Sequence, residues 1–474
     1  MKQYSFLIIV FAFINIVNGQ SPRISITNNI IKLNSKEIKY KATVKEFFLP
    51  VNDKPVASVI TTSYEMDTAD TLTRAVVFLF NGGPGASSSP LHMHAFGPVR
   101  LMKGTDTTKQ VNNPYSLLDV ADLVFIDPIG TGFTKIFDEG KAESYMDVVT
   151  DAQSVIDIIK IWKEEHHRSS SPVFICGESY GTIRAVKMLA LAEHFPVKGV
   201  LLFSAVLDFS LMAEVDGNEM PYLLNLPSMA AIAWYHKKIE RNNRSAQQVF
   251  DEAIEFANTD YITALFEGQA TKAEDRKRIA DRLSKITGLT DSLILERNLR
   301  PTSADFETQL LTDQHLRIGK LNGQIALPVP TENKPYSSRD DPSLVVNTDL
   351  KKDFVGKYFM NTLKFPGEGL YRGINFDVNS HWKWNSMAAD MGYYSVLPDL
   401  EKAMNDHPQL KLLIAGGMYD LATPLYATKY LINHSTIPGE RITFLSYPTG
   451  HSIFDNEDQL PKLAEAVKTF ILKQ

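Results

Sequence analysis

The chain is short of cysteine, of net charge and of long apolar runs. Cys176 is the single cysteine in 474 residues, so no intramolecular disulfide can form. The fold must rest on its apolar core, which a chain of this length can bury. Scarce cysteine also excludes the paired-cysteine spacings of structural zinc sites. The cluster Glu164-Glu165-His166-His167 lacks the HExxH spacing and reads as the polar end of a helix over 147–167, where the dipole favours histidine. No metal and no other cofactor is expected. Lys and Arg number 49 against 55 Asp and Glu, a net charge of −6, with both signs interspersed. That excludes a nucleic-acid partner, which needs clustered cations to meet phosphates. One apolar run stands out, Phe6 to Val17 behind Lys2 and before Val17-Asn18-Gly19. It is shorter than the roughly 20 residues of a membrane span and has the charged start, apolar middle and small-residue end of a signal peptide. Residues 1–19 are therefore expected to be cleaved, leaving a periplasmic or extracellular protein without a membrane anchor. Oligomeric state has no signature here.

Length suggests two to three structural units. Residues 28–63 alternate apolar and polar positions between turn residues and predict an antiparallel meander. Ala75-Val-Val-Phe-Leu-Phe80 is apolar without alternation, the pattern of a strand buried on both faces of a parallel sheet. Leu123–Ile126, Val173–Cys176, Val200–Phe203 and Leu412–Ala415 share it, and Ile442–Leu445 is a further strand. Helical spacing links Val148, Ala152, Val155, Ile156, Ile159 and Trp162, and again Leu460, Leu463, Val467, Phe470 and Ile471. Strands alternating with helices predict an α/β fold around a mostly parallel central sheet. The alternation stops near Asp208 and resumes near His381. Between them Ser245-Ala-Gln-Gln248 and Thr271-Lys-Ala-Glu274 read as capping boxes. The expected organisation is a first core part over 20–207, a mainly helical insertion or lid over 208–385, and a second core part over 386–474.

Chemistry concentrates where the strand Val173–Cys176 runs into Gly177-Glu178-Ser179-Tyr180-Gly181 and then into a helical stretch. Strand, Gly-x-Ser-x-Gly and helix in that order resemble the nucleophile elbow of α/β-hydrolases, in which small residues permit the turn that exposes the serine hydroxyl. A serine needs a base, and the base an orienting acid; in this fold they follow as Ser, Asp or Glu, His. Asp420 lies in the loop after Leu412–Ala415, although it could instead cap the helix beginning near Pro424. Only His434 and His451 follow it. His434 ends a helix, where the dipole explains it; His451 lies in a loop after the strand Ile442–Leu445 and is the better base. Oxyanion donors are expected from the Tyr180 N–H and from Asn81-Gly82-Gly83-Pro84-Gly85, where glycine lets the backbone approach a substrate. Ser87, Ser88 and Ser89 lack the strand–turn–helix setting of a nucleophile.

Taken together, Asn81-Gly-Gly-Pro-Gly85, Gly177-Glu-Ser-Tyr180, the Asp420 loop and Gly450-His451 resemble the serine carboxypeptidases, over roughly 75–455. The resemblance implies an α/β-hydrolase with a helical insertion that removes C-terminal residues, favouring acidic pH, from peptides with a free C-terminus through an acyl-enzyme on Ser179. It implies Ser179, Asp420 and His451 as the triad, the Gly83 and Tyr180 N–H groups as oxyanion hole, and Asn81 and Glu178 as ligands of the terminal carboxylate. Independent chemistry supports the last role: a carboxylate beside Glu178 forces one of the two to hold a proton. The chain departs from the family pattern at four places. Leu79 stands for tryptophan, Ala86 for cysteine, Ala95 for a second glutamate, and Ser452 for the methionine after the histidine. Missing cysteines fit a bacterial-type, disulfide-free member. His92 and His94 lie near the lost glutamate and read as structural histidines. Two alternatives remain open in the sequence: an esterase or acyltransferase using the same triad, and an inactive binding protein.

Overall fold

Apolar runs without alternation must be covered on both sides, and here they form the centre of a nine-stranded sheet. In this computed structural model, residues 21–68, 72–103, 108–192, 197–329, 340–345, 353–384 and 394–473 are described. The expected signal peptide and the expected boundary at 385/386 lie outside them. The strands are β1 (Ile24–Leu33), β2 (Lys36–Val51), β3 (Lys54–Met66), β4 (Ala75–Phe80), β5 (Val99–Lys103), β6 (Thr108–Asn112), β7 (Ala121–Asp127), β8 (Val173–Glu178), β9 (Val197–Phe203), β10 (Leu316–Ile318), β11 (Ala326–Pro328), β12 (Lys411–Gly417) and β13 (Ile442–Tyr447). The large sheet runs β1-β2-β3-β7-β4-β8-β9-β12-β13. The first three strands form the antiparallel meander and β3 meets β7 antiparallel. From β7 onward every neighbour is parallel, which makes this an α/β-hydrolase sheet.

Alternation reappears as a choice of face. Val76, Phe78, Phe80, Val124, Ile126, Ile175, Val200, Leu202, Leu412 and Ile414 enter one core, with helices Val148–Glu165 and Tyr180–Leu191. Their neighbours Val77, Leu79, Leu123, Phe125, Phe174, Cys176, Leu201, Phe203, Leu413 and Ala415 enter the other, with helix Leu460–Leu472. Because successive strand side chains point to opposite faces, a run apolar at every position serves two cores at once.

The chain between β9 and β12 supplies helices Met220–Tyr235, Ala246–Phe256 and Ala273–Thr287 and the short β10–β11 hairpin. Helix Met220–Tyr235 is apolar around nearly its whole circumference and buries almost every residue in the first core. Ser245 forms the capping box with Gln248. Thr271 does not: helix Ala273–Thr287 starts at Lys272 without a side-chain cap, and the Thr271 hydroxyl bonds to the Ala264 carbonyl instead. The helix begins one residue later than the pattern implied, with Lys272 at its cap position. Among the described residues, no helix is long and apolar enough to cross a membrane.

Candidate active site

At the end of β8 the chain turns through Ser179 into helix Tyr180–Leu191. Ser179 sits at φ +58°, ψ −130°, a backbone conformation that costs a non-glycine residue energy and that marks functional turns. The turn is tight enough that a Cβ on Gly177 would overlap the Gly181 carbonyl, and one on Gly181 would lie 2.8 Å from the Phe80 carbonyl oxygen. Tyr180 opens the helix, so its N–H has no intrahelical acceptor and lies at the positive end of the dipole.

The loop after β4 lies against this turn. A Cβ on Gly82 would be 2.8 Å from both the Glu178 carbonyl oxygen and the Gly181 nitrogen, and closer still to the Tyr180 nitrogen. Gly83 follows at φ +100°. Two buried carboxylates hold the surroundings. Asp127 accepts the Ser88 N–H at 2.8 Å and the Tyr371 hydroxyl at 2.7 Å, and burial pushes its carboxyl up to about 6. Asp151 accepts Arg184 Nε at 2.7 Å and the Tyr180 hydroxyl at 2.9 Å, while Arg184 Nη1 donates to the Asn81 carbonyl at 2.8 Å. One ion pair thus ties Tyr180, which follows Ser179, to the start of the glycine loop.

Asp420 and His451 come from loops after β12 and β13, neighbouring parallel strands. His451 Nδ1 lies 2.7 Å from Asp420 Oδ2. Asp420, fully buried, also accepts the Ala422 and Thr423 N–H groups at 2.8 and 3.1 Å and the Thr423 hydroxyl. Facing a carboxylate, Nδ1 carries the hydrogen, which leaves the Nε2 lone pair free to take a proton. The helix after Asp420 is preceded by Pro424, without a side-chain cap, so Asp420 is not its cap. Ser179 and His451 are both tied to the end of β9: the Ser179 N–H donates to the Phe203 carbonyl at 2.9 Å, and the Ser204 hydroxyl donates to the His451 carbonyl. Burial pulls the imidazolium down in pKa, but the Asp420 carboxylate and its hydrogen bond outweigh this and, with Glu178, hold His451 above its ordinary value.

Glu178, 2% exposed, is flanked on both oxygens. Asn81 Nδ2 donates to Oε2, with its amide oriented by the Leu91 N–H on Oδ1 at 3.2 Å, and the Ser452 hydroxyl lies 2.8 Å from Oε1. Burial pushes the Glu178 carboxyl up to about 7, against the lowering influence of His451 and Ser452. A group poised there can change protonation when a second carboxylate arrives.

The other residues weighed in the sequence lie apart from these contacts. His434 bonds its own helix through Nδ1 to the Tyr430 carbonyl at 2.8 Å. His92 is buried, 2.6 Å from the Tyr64 hydroxyl and stacked on Phe125, and burial lowers it to about 3. Ala95 is buried, and its carbonyl accepts the Asn113 amide at 2.7 Å. Ser87 and Ser89 bond to each other, and the Ser88 hydroxyl bonds to the Ile126 carbonyl. Arg184, Asp151 and Asp341 were not singled out in the sequence. Asp341 receives the Lys320 N–H at 2.8 Å, and the loop it holds accepts the His451 N–H at the Leu321 carbonyl, 2.7 Å, and the Leu421 N–H at the Lys320 carbonyl, 3.0 Å. Asp341 stands directly before the helix Pro342–Val345 and accepts the Ser343 N–H at 2.7 Å, so the sequence offers a helix-start reading for it but nothing that links it to Lys320.

A family profile described as serine carboxypeptidase matches residues 64–447. Among curated proteins, the pheromone-processing carboxypeptidase kex1 of Sclerotinia sclerotiorum is 30% identical over 145 residues, covering 27% of this chain and 21% of that protein. Serine carboxypeptidase-like 33 of Arabidopsis thaliana is 27% identical over 186 residues, covering 38% of each. The matched segments therefore span well under half the length of these relatives. The profile, by contrast, extends from β3 through β13 and takes in most of the chain. The chain belongs to the serine carboxypeptidase family.

Proposed function

We propose that the protein is a serine-type carboxypeptidase that removes C-terminal residues from peptides, with Ser179 as nucleophile. Ser179 Oγ attacks the carbonyl carbon of the last peptide bond while His451 Nε2 takes its proton. The N–H groups of Gly83 and Tyr180 receive the oxyanion. Collapse breaks the C–N bond, and His451 returns the proton to the departing amine. This leaves a free amino acid and an acyl ester on Ser179; water, activated by His451, then hydrolyses the ester and restores the enzyme. Asn81 and Glu178 hold the substrate's terminal carboxylate, Asn81 as a neutral donor and Glu178 in its protonated form.

The observation that carries the reading is the buried Asn81–Glu178 pair, one residue before the nucleophile. An esterase has no need of a carboxyl group held near neutrality at that place. The test compares a blocked dipeptide with a free C-terminal carboxylate and the same dipeptide as its amide. Glu178, raised to about 7, is protonated below that pH and donates to the free acid; above it, two carboxylates repel. The acid-to-amide ratio of kcat/KM should therefore fall as pH rises through about 7. A charge-assisted hydrogen bond contributes about 1.5–3 kcal/mol, which sets the fall at roughly tenfold to a hundredfold. Titration of His451 affects both substrates and cancels in the ratio. Glu178→Gln cannot titrate and should flatten the ratio across this window. If acid and amide give superimposable profiles in the parent enzyme, the carboxypeptidase reading fails and a general serine hydrolase remains.

A further inference from the structure

The family's second glutamate is Ala95 here, and the residue after the histidine is serine rather than methionine. The structure gives the second departure a place in the site. Ser452, next to His451, reaches back across the site and lies 2.8 Å from Glu178 Oε1. The opposite oxygen, Oε2, is occupied by Asn81 Nδ2, whose orientation the Leu91 N–H fixes. The buried carboxyl is therefore held at both ends by neutral side chains from separate loops, Asn81 after β4 and Ser452 after β13.

We infer that Ser452 is a positioning residue for the carboxylate pocket, whose hydroxyl aligns Glu178. The inference rests on the reading of Glu178 as a ligand of the substrate carboxylate. A hydroxyl suits this place because it donates a hydrogen bond without bringing a charge. When Glu178 is ionised, Ser452 donates to Oε1. When a substrate carboxylate enters and Glu178 takes up a proton, that proton is donated to the substrate, and the Ser452 hydroxyl stays on Oε1 as donor. Asn81, with its amide fixed, can only donate to Glu178, and a methionine thioether offers no donor at all.

The charged groups facing Glu178 are His451 and Asp420, from the loops after β13 and β12, and Asp455, from the turn that follows Ser452; the Cys176 thiol lies two residues back on β8. His94 lies 3.5 Å from Asp455. A change at Ser452 alters none of these charges, so its effect on pH dependence is read through Glu178. Removing the hydroxyl deletes a bond that favours the ionised form. Glu178 then ionises at higher pH.

The experiment measures kcat/KM for the free-acid and amidated dipeptides against pH, in the parent enzyme, Ser452→Ala and Ser452→Thr. In Ser452→Ala the acid-to-amide ratio at pH 5–6 should fall about three- to tenfold, the effect of one hydrogen bond. The pH at which the ratio declines should move upward. Ser452→Thr keeps the hydroxyl and should restore both. A merely structural role would lower activity on both substrates together and leave the ratio and its midpoint in place; that result, or failure of threonine to restore, overturns the inference. If the parent enzyme itself shows no acid preference, the carboxylate reading of Glu178 falls, and this inference falls with it. A parent that prefers acids while Ser452→Ala behaves identically removes Ser452 alone.

Discussion

Arg184→Met would leave the Asp151 carboxylate buried without the guanidinium that now faces it. The two side chains are 1% and 2% exposed and meet at 2.7 Å, with the Tyr180 hydroxyl as a further donor to Asp151. Even so, burial outweighs Arg184 and Tyr180 and holds Asp151 above the usual carboxylate range. A raised carboxyl binds its proton more tightly in the folded state than in the unfolded chain, so ionised Asp151 is a net cost to folding that grows as pH rises through its folded pKa. Breaking a buried pair from one side costs about 3–5 kcal/mol, and that loss should be expressed at pH 8. At pH 5 it should be smaller, because the unpaired carboxyl escapes by protonating. Replacing both partners, Asp151→Leu with Arg184→Met, removes the stranded charge. What remains unpartnered is the Tyr180 hydroxyl and the Asn81 carbonyl, costing about 1–3 kcal/mol each at most. The double variant should therefore be far less damaged than the two single losses added together. Urea denaturation at pH 5 and pH 8 reads all four proteins. Equal losses for Arg184→Met at both pH values, or strict additivity in the double variant, would refute the account of this pair.

Two further outcomes follow from the same geometry. Asp420→Asn removes the acceptor that keeps hydrogen on His451 Nδ1, and should lower kcat by roughly 10⁴-fold; since Asp420 raises His451, the acid limb of the residual activity should move to lower pH, and an unmoved limb would break the assignment. Gly82→Ala would drive a Cβ into backbone atoms of Tyr180, Glu178 and Gly181, none of which can turn away, so activity should be lost and stability should fall by about 1–3 kcal/mol. Gly140→Ala is the control, because its Cβ would meet nothing nearer than Asp138 Oδ1 at 3.9 Å; a Gly82→Ala enzyme as active as that control would remove the glycine loop from the site.

The sequence by itself determined the α/β architecture and the kind of turn at Ser179. Both are local properties: an unbroken apolar run must be covered on two faces, and Gly177 and Gly181 around Ser179 permit a turn that other residues would block. It also identified Asp420 and His451 as loop residues after strands, with a helix-cap reading still open for Asp420 and His434 as a rival to His451. Capping was legible in part: the Ser245 box forms, whereas the helix expected to start at Thr271 begins one residue later. The Thr271 hydroxyl is taken by the Ala264 carbonyl.

Tertiary structure alone decided which groups share a site. The order β8-β9-β12-β13 sets four strand ends side by side, and these carry Ser179, Ser204, Asp420 and His451. Ser452 lies 274 positions from Glu178, and Arg184 lies 103 from Asn81. At such separations no periodicity links the partners, and a lone serine or arginine in the sequence is indistinguishable from one that faces water. Asp341 is the clearest case, an aspartate at the start of helix Pro342–Val345 whose other hydrogen bonds hold the segment that receives the His451 and Leu421 N–H groups. Hydrogen bonds and ion pairs are made between whatever the packed cores bring within about 3 Å, so those contacts could be known only once the cores were in place.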